Sequence, residues 1–225
     1  MIDEEGKRIL QVLSPFVNKQ LDGKETVKYM RDTGSKNWKQ MEWVGFFIEE
    51  ECRKILIENI GGKKGSSYGR TGFDYENENT WDIKAHSIKD KHGAEIKDCI
   101  LNDKSAMESV LDKDGYVGAI IFLCDVEHDS TGEFKEWHDN LKGKKSKYVE
   151  KGIATNRPSR SRKKSCFIKG IIILKITKED LVNGIDEKWI ESFQEGMINS
   201  NGHYRREKIA ISINDIPERC IICRC

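Results

Sequence analysis

The amino-acid sequence predicts an α/β protein with a mixed central β-sheet flanked by helices. The first third of the chain shows helical periodicity of its apolar residues. Two later runs, YVGAIIFLC (116–124) and CFIKGIIILKI (166–176), are almost continuously apolar, as is typical of strands covered on both faces. Strands and helices alternate after residue 72, and this order favours helices packed on both faces of one sheet.

The helical pattern is strongest in NWKQMEWVGFFIEEECRKILIEN, residues 37–59. Asn37 is followed three residues later by Gln40, which predicts a capping box at the start of the helix. One apolar face is formed by Trp38, Met41, Gly45, Ile48, Cys52, Ile55 and Leu56. The glycine-rich stretch GGKKGSSYG (61–69) predicts a loop at the end of this region.

Strand patterning begins after Gly72, where Trp81, Ile83 and Ala85 alternate with polar residues. A turn over KDKHG (89–93) and a returning strand over AEIKDCIL (94–101) follow, then a short helix over SAMESVLDK (105–113). Further along, the patterns predict helices over EFKEWHDNLK (133–142) and DEKWIESFQEGMIN (186–199) and a final strand over KIAISIN (208–214).

Length and composition indicate one globular domain that covers residues 1–225. Hydrophobic residues make up 37% of the chain, and the longest apolar runs stay far below the roughly 20 residues of a membrane helix. The opening MIDEEGKR lacks the pattern of a signal peptide. The seven cysteines are scattered and odd in number, so we expect reduced thiols in the cytoplasm and no membrane partner.

The net charge of +1 conceals a strong asymmetry. Residues 141–169 contain eleven Lys and Arg against one acid, a local charge of +10, whereas the remaining 28 basic and 37 acidic residues sum to −9. A basic segment on an otherwise acidic chain is either a solvated loop or a contact for a polyanion such as nucleic acid.

The pattern acid-x-Lys is common in this chain, so its context decides which copy matters. It occurs six times, beginning at Glu5, Asp22, Asp82, Glu95, Glu133 and Asp186. Only the copies at Asp82 and Glu95 lie on predicted strands, and only Asp82 is surrounded by regular apolar alternation. That alternation places Asp82 and Lys84 on one face of a strand.

A turn over ENEN (76–79) would bring Asp74 back beside Asp82. Two carboxylates and the main-chain carbonyl of Ile83 would form an oxygen-rich site suited to Mg²⁺. Lys84 could then orient and deprotonate an attacking water while the metal stabilises charge on a phosphate.

The rival pairing joins Asp82 with Glu95 and Lys97. If KDKHG is a tight turn, Glu95 falls opposite Ser87, an offset on the order of 16 Å from Asp82. We therefore favour Asp74 as the partner of Asp82.

FD followed by WDIK resembles the PD-(D/E)xK signature of the restriction-endonuclease-like superfamily, with Asp74, Asp82 and Lys84 in the three motif positions. Phe73 stands where the signature has proline, and the gap between the acids is shorter than usual. The upstream WKQMEWVGFFIEE resembles the helix that precedes the motif in some type II restriction enzymes. Many members place a glutamate from that helix near the metal, and here the candidates are Glu49 and, as the alternative, Glu42.

The basic segment supplies the candidate DNA contacts. ATNRPSRSRKKS (154–165) interleaves cationic and small polar residues, which can donate to phosphates and, through an arginine, to guanine. The candidate DNA-binding residues are Arg157, Ser159, Arg160, Arg162, Lys163 and Lys164.

Two further groups of residues are candidates for metal binding or for a structural role. The C-terminal Cys220, Cys223 and Cys225 could bind zinc only with a fourth ligand such as His203 or Cys166. His86 shares the face of Asp82 and Lys84, where a structural role is the simpler interpretation. The chain has no phosphate-binding loop of the Walker type, so we expect no nucleotide cofactor.

Together with the resemblance, these observations predict one Mg²⁺-dependent nuclease domain, most simply a type II restriction endonuclease that cuts double-stranded DNA. Its parts would be a helical N-terminal region (1–60), a catalytic core (70–125) and the basic segment (141–169). The resemblance implies a homodimer, because a two-fold protein matches a palindromic site. The alternatives are a repair or junction nuclease of the same fold and a non-catalytic nucleic-acid-binding protein.

Overall fold

A computed structural model describes residues 1–68, 71–143, 150, 152, 161–199 and 202–225. Its α-helices are α1 (Ile2–Leu13), α2 (Gly23–Asp32), α3 (Trp43–Asn59), α4 (Lys104–Asp114), α5 (Glu133–Leu141) and α6 (Lys178–Asp186). Its strands are β1 (Gln20–Asp22), β2 (Ser67–Tyr68), β3 (Thr71–Gly72), β4 (Tyr75–Glu76), β5 (Thr80–Ser87), β6 (Asp98–Asp103), β7 (Tyr116–His128), β8 (Lys163–Thr177), β9 (Ile190–Phe193), β10 (Lys208–Ser212) and β11 (Ile221–Arg224). The protein is a mixed α/β structure, as the sequence predicts.

The central sheet has the strand order β1-β8-β7-β5-β4, with β11 also paired to β8. β5 and β7 run parallel, with Asp82 in register with Ala119. The chain between them includes α4, as a parallel connection requires. The other pairs in this sheet are antiparallel, so the sheet is mixed.

Two apolar cores lie on opposite faces of the sheet, and β7 contributes to both by strict alternation. Ile120 and Phe122 belong to the core under α1, α2 and α3, whereas Ala119 and Ile121 belong to the core that includes residues of α4 and α6. The predicted burial of both faces of 116–124 is therefore confirmed. Position 118 of β7 requires glycine, because a Cβ there would lie 2.2 Å from the buried ring of Trp81.

A second sheet, β6-β10-β9, covers the α4 and α6 side of the central sheet. β6 pairs antiparallel with β10, with Cys99 in register with Ile211. The segment predicted as a returning strand is therefore a strand over residues 98–103, but its partner is β10 and not β5. This arrangement places β6 over the polar face of β5, with Asn102 reaching Asp82.

Three predictions from local pattern are wrong. α3 begins at Trp43, and Asn37 donates to Glu50 instead of forming a capping box. Residues 186–199 are not a helix, because Ile190–Phe193 pairs with β10 and buries Ile190. The last strand is β11, beyond the predicted final strand 208–214.

The helices over 105–113 and 133–142 and the strands over 166–176 and 208–214 are present, with boundaries shifted by a few residues. In the described parts of the chain, none of the helices has the length and apolar character needed to cross a membrane.

Candidate metal and catalytic site

The β4–β5 hairpin brings the two candidate acids together. Tyr75 pairs with Trp81 and Glu76 with Thr80, which leaves residues 77–79 as the connecting turn. Continuation of this register sets Asp74 opposite Asp82, and opposite residues in antiparallel strands point to the same face. The buried side chain of Glu5 accepts hydrogen bonds from the turn, including one from the main-chain N–H of Glu78 at 3.2 Å. The predicted turn and the approach of Asp74 to Asp82 are thus confirmed.

Asp74 is held by the main chain of β5. Its Oδ2 accepts a 2.7 Å hydrogen bond from the N–H of Ile83, and its own N–H donates to the carbonyl of Trp81 at 3.1 Å. Burial and the neighbouring carboxylate of Asp82 raise the pKa of Asp74 to about 8, with Lys84 opposing and Glu49 adding to the rise. Burial and the charge of Asp82 therefore favour the protonated form of the Asp74 carboxyl.

Asp82 is 4% exposed, and its two oxygens have different surroundings. Oδ1 accepts a 2.7 Å hydrogen bond from Lys84 and lies 3.5 Å from Nδ2 of Asn102. Oδ2 is buried and, among the described residues, has no hydrogen-bond partner. A buried carboxylate oxygen without a partner carries a desolvation cost that a bound cation would remove.

Lys84 faces both acids. Burial lowers its pKa, but the carboxylates of Asp82 and Asp74 outweigh burial, and the pKa of Lys84 lies above its ordinary value. In this arrangement Lys84 is a protonated ammonium that orients Asp82 through Oδ1. Oδ2 is left without a hydrogen-bond partner among the described residues.

Of the two candidate glutamates, Glu49 lies in α3, the helix that precedes the hairpin, whereas Glu42 lies just before this helix. Glu49 is close enough to raise the pKa of Asp74 by its charge, although its Oε1 also accepts a 3.0 Å hydrogen bond from Arg53. Glu42 precedes α3 and is paired with Lys163 at 2.7 Å. Of the two alternatives, Glu49 is the one whose charge contributes to the raised pKa of Asp74.

Ile83 and His86 take different positions around the acids. Since the N–H of Ile83 reaches Asp74, the main-chain groups of Ile83 face the sheet edge on which Asp74 lies. His86 is buried, and its Nε2 lies 2.9 Å from the carbonyl oxygen of Ile96. This contact ties the end of β5 to the 88–96 turn, which is a structural role. Glu95, the rival acid, is exposed and accepts from Asn214.

Asn102 is a site residue that sequence reasoning missed. Its Nδ2 donates to the carbonyl of Gly72 at 3.0 Å and approaches Oδ1 of Asp82 at 3.5 Å. One buried amide therefore links the segment that precedes Asp74 to the carboxylate of Asp82. Only the pairing of β6 with β10 places Asn102 there, and that pairing joins residues about a hundred positions apart. No local pattern signals it.

The residues present fit a magnesium ion. Within the described ranges, the structure has no group of three or more His, Cys, Asp or Glu side chains arranged to hold a metal ion. Mg²⁺ in phosphate-processing sites is commonly bound by one or two carboxylates, with waters and substrate phosphates completing its shell. Asp74, Asp82 and the carbonyl of Ile83 supply oxygens of this kind. Among the described residues, Oδ2 of Asp82 is buried without a hydrogen-bond partner, so a bound cation would offset its desolvation cost.

The candidate DNA-binding residues divide into three groups. Arg157, Ser159 and Arg160 lie outside the described residues. Arg162 is 2% exposed and is engaged by Asp139 at 2.8 Å and by Nδ1 of His138 at 2.9 Å. Its buried guanidinium does not fit the predicted DNA contact.

Lys163 and Lys164 remain near the surface at the start of β8. Lys163 pairs with Glu42, and Lys164 pairs with Glu127 at 2.7 Å with 43% of its side chain exposed. Exposed ion pairs contribute little and exchange readily, so Lys164 can turn to a phosphate.

The C-terminal cysteines are dispersed. All seven cysteines of the chain are free thiols. Cys220 is buried beside Asp180, Cys225 is exposed, and Cys166 lies in the core next to Cys124. These positions do not converge on one zinc site.

Comparisons of the chain with family models, with curated proteins and with solved structures give no match. Function is therefore inferred from the geometry of the site.

Proposed function

We propose that this protein is a Mg²⁺-dependent endonuclease that hydrolyses phosphodiester bonds of double-stranded DNA, most simply a type II restriction enzyme. The observation that carries the proposal is the buried Asp82 carboxylate, with Lys84 on Oδ1 and an available Oδ2, beside an Asp74 whose pKa is about 8. Closely spaced buried acids with a lysine suit cation-assisted phosphate chemistry.

The residues have distinct roles in this proposal. Asp74, Asp82 and the carbonyl of Ile83 would hold Mg²⁺, which when bound supplies positive charge to the phosphate oxygens. With a cation beside them, the charges of Asp82 and Asp74 would no longer hold the proton on Lys84, and that proton would pass to solvent. The neutral amine would then accept a proton from the water that attacks phosphorus, the bond from phosphorus to the leaving oxygen would break, and that oxygen would take a proton from solvent.

The arrangement around the motif supports a restriction-endonuclease-like fold. α3 precedes the hairpin that carries Asp74 and Asp82, and Glu49 from this helix acts on Asp74 through its charge. This is the placement that the superfamily resemblance implies for a helix glutamate. A central mixed sheet with helices on both faces is consistent with the same class.

The partner proposed is double-stranded DNA, held in part by the basic segment through residues such as Lys164. A homodimer follows if the enzyme cuts a palindrome, because each subunit would then present one site to one strand. The expected location is the cytoplasm.

The proposal is tested by incubating purified protein with phage DNA, once with Mg²⁺ and once with EDTA. We expect discrete fragments that appear only with Mg²⁺. Sequence-independent nicking would point to the repair or junction nuclease, and DNA binding without cleavage would point to a non-catalytic binder. Either result would overturn the restriction assignment.

A further inference from the structure

Residues 63–68 form an edge segment that lies directly against the stretch carrying Asp74. Lys63 and Glu76 exchange main-chain hydrogen bonds of 2.8 and 3.0 Å, and Phe73 donates to the carbonyl of Ser66 at 3.0 Å. β2 and β3 continue the same register, with Ser67 opposite Gly72. The stretch that carries Asp74 is therefore contacted on both sides, by Lys63 at Glu76 and by residues 66–68 at residues 71–73, and Gly65 packs against Phe73 between these contacts.

Two glycines allow this close approach. A Cβ on Gly62 would lie 2.6 Å from the carbonyl oxygen of Glu76, and the φ of Gly62 is +88°. A Cβ on Gly65 would lie 2.5 Å from the carbonyl oxygen of Phe73. Because any side chain at either position would push the segment away from β4, the pattern GGKKG is explained by this contact.

The segment is also fixed by side-chain hydrogen bonds. The hydroxyl and the N–H of Ser66 both donate to the carboxylate of Glu76, and the hydroxyl of Tyr75 donates to the carbonyl of Gly61 at 2.8 Å. The Ser66 hydrogen bonds hold the pKa of Glu76 below its ordinary value. The main chain beneath Lys63 and Lys64 is thus anchored at both ends.

The two lysines present their charge to solvent. The side chain of Lys63 is 69% exposed, and its ammonium lies 3.5 Å from Glu76, a pairing of little energetic weight. Lys64 is exposed as well. Lys113 adds a third cation within electrostatic range of Glu76.

We propose that residues 61–66, the lysine edge, form a contact surface for the phosphate backbone of the DNA whose scissile phosphate lies at Asp74 and Asp82. Identification of DNA as the occupant rests on the proposed function. Adjacent strands are about 4.8 Å apart, so the lysine edge lies one strand from Asp74. Neighbouring phosphates of a bound duplex then lie within reach of a lysine side chain. An anchored main chain lowers the entropy cost of placing these charges.

The test measures binding of a fluorescent 30-base-pair duplex by anisotropy, with Ca²⁺ in place of Mg²⁺, across a series of salt concentrations. The variant is the double substitution Lys63→Gln/Lys64→Gln. The control is Lys7→Gln/Lys178→Gln, which removes two exposed, ion-paired lysines from α1 and α6. The double Lys→Arg variant at 63 and 64 tests rescue by charge alone.

We expect the slope of log affinity against log salt to become shallower by about 1 to 2 in the double glutamine variant, since each phosphate contact contributes about 0.9. The arginine variant should restore the slope, and the control should leave it unchanged. An unchanged slope in the glutamine variant would overturn the proposal. The lysines would then serve only to prevent another chain from pairing with this sheet edge.

The two proposals fail in different ways. If the wild-type protein binds the duplex and the glutamine variant has a shallower salt slope, but Mg²⁺ produces no cleavage, only the nuclease proposal is wrong. If Mg²⁺ produces cleavage but substitution of Lys63 and Lys64 leaves the salt slope unchanged, only the proposed DNA contact at the lysine edge is wrong. If the wild-type protein does not bind the duplex, both are wrong.

Discussion

Nζ of Lys84 lies 2.7 Å from Oδ1 of Asp82, and among the described residues Oδ2 of the same carboxylate has no hydrogen-bond partner. One ammonium therefore satisfies one oxygen and leaves the other buried and available. Asp74 comes opposite this carboxylate and has a pKa of about 8, so the pair together needs more positive charge than Lys84 supplies. A divalent cation is the simplest source of that charge.

Substitution of either member of the Lys84–Asp82 pair should strongly reduce DNA cleavage. We expect Asp82→Ala and Lys84→Ala each to reduce Mg²⁺-dependent cleavage by about 100-fold or more, since one loses the cation and the other the proton acceptor. DNA binding, measured by anisotropy in Ca²⁺, should stay largely intact.

A matched control for this pair exists elsewhere in the chain. Lys178 and Asp112 form an exposed pair at the same 2.7 Å distance. Asp112→Ala and Lys178→Ala should leave cleavage unchanged. Full activity in Asp82→Ala or Lys84→Ala would show that the catalytic residues are elsewhere.

Asn102→Ala should weaken the apparent affinity for Mg²⁺ more than it lowers the maximal rate. The amide of Asn102 positions Asp82 and the carbonyl of Gly72 without touching the reacting atoms, so the change loosens the acids and leaves Lys84 in place. We expect a loss of about 10-fold or more in apparent Mg²⁺ affinity, read from cleavage rate against metal concentration. Asn183→Ala, which removes an exposed amide on α6, is the control. A lowered rate at saturating Mg²⁺ with unchanged metal affinity would contradict a positioning role.

Glu49 and Glu42 should behave differently when neutralised. Glu49→Gln removes a negative charge that raises the pKa of Asp74, so the pH at which apparent Mg²⁺ affinity rises should move to a lower value. Glu42→Gln breaks only an exposed pair with Lys163 and should not move that pH. Metal titrations at several pH values compare the two variants, and equal behaviour would remove Glu49 from the site.

Asp74 should make the metal-free protein less stable as pH rises. In the unfolded chain its carboxyl loses a proton near pH 3.8, whereas in the folded protein it keeps the proton to about pH 8. Between these values the folded state binds more protons, so this group lowers the free energy of unfolding as pH increases and contributes no further change above about 8.

Asp74→Asn removes this dependence, and its neutral side chain can still accept the hydrogen bond from Ile83. The gain in the free energy of unfolding should be small near pH 4 and reach about 2 kcal/mol or more near pH 8.5, because each pKa unit corresponds to about 1.4 kcal/mol. Urea unfolding in EDTA at pH 4.5, 6, 7.5 and 8.5 provides the measurement. A gain that does not vary with pH would show that Asp74 titrates normally.

Substitution of Arg162 should lower stability, whereas substitution of Lys164 should lower DNA affinity. Arg162→Met breaks a buried ion pair with Asp139 and removes the donor to His138, and we expect a loss of about 3 kcal/mol in the free energy of unfolding. Lys164→Gln breaks only an exposed pair, so stability should change by less than about 1 kcal/mol while DNA affinity falls. A stable Arg162→Met protein with weakened DNA binding would restore Arg162 to the DNA contact.

Local pattern was sufficient to predict the placement of the central residues. Alternation around Ile83 put Asp82 and Lys84 on one face, and the 77–79 turn returned Asp74 to them. These are short-range relationships that depend on strand geometry alone.

Relationships between distant residues could not be predicted in the same way. The burial of Asp82 depends on the sheet that covers β5, and the amide of Asn102 is part of that sheet. For the same reason the helical pattern over 186–199 was misleading, since pairing of β9 with β10 outweighs local helix preference there. Arg162 looked like its cationic neighbours because its buried partners, His138 and Asp139, lie more than twenty residues away.

The most direct test of the central claim is the position of a divalent cation in crystals of the protein soaked in Mn²⁺, located by anomalous scattering. We predict a peak within coordination distance of Oδ2 of Asp82, with Asp74 as a second ligand. The peak should be absent from Asp82→Ala crystals that retain the same fold. A peak elsewhere in the molecule, or no peak beside Asp82 in the wild-type protein, would contradict the assignment of this pair as the metal site.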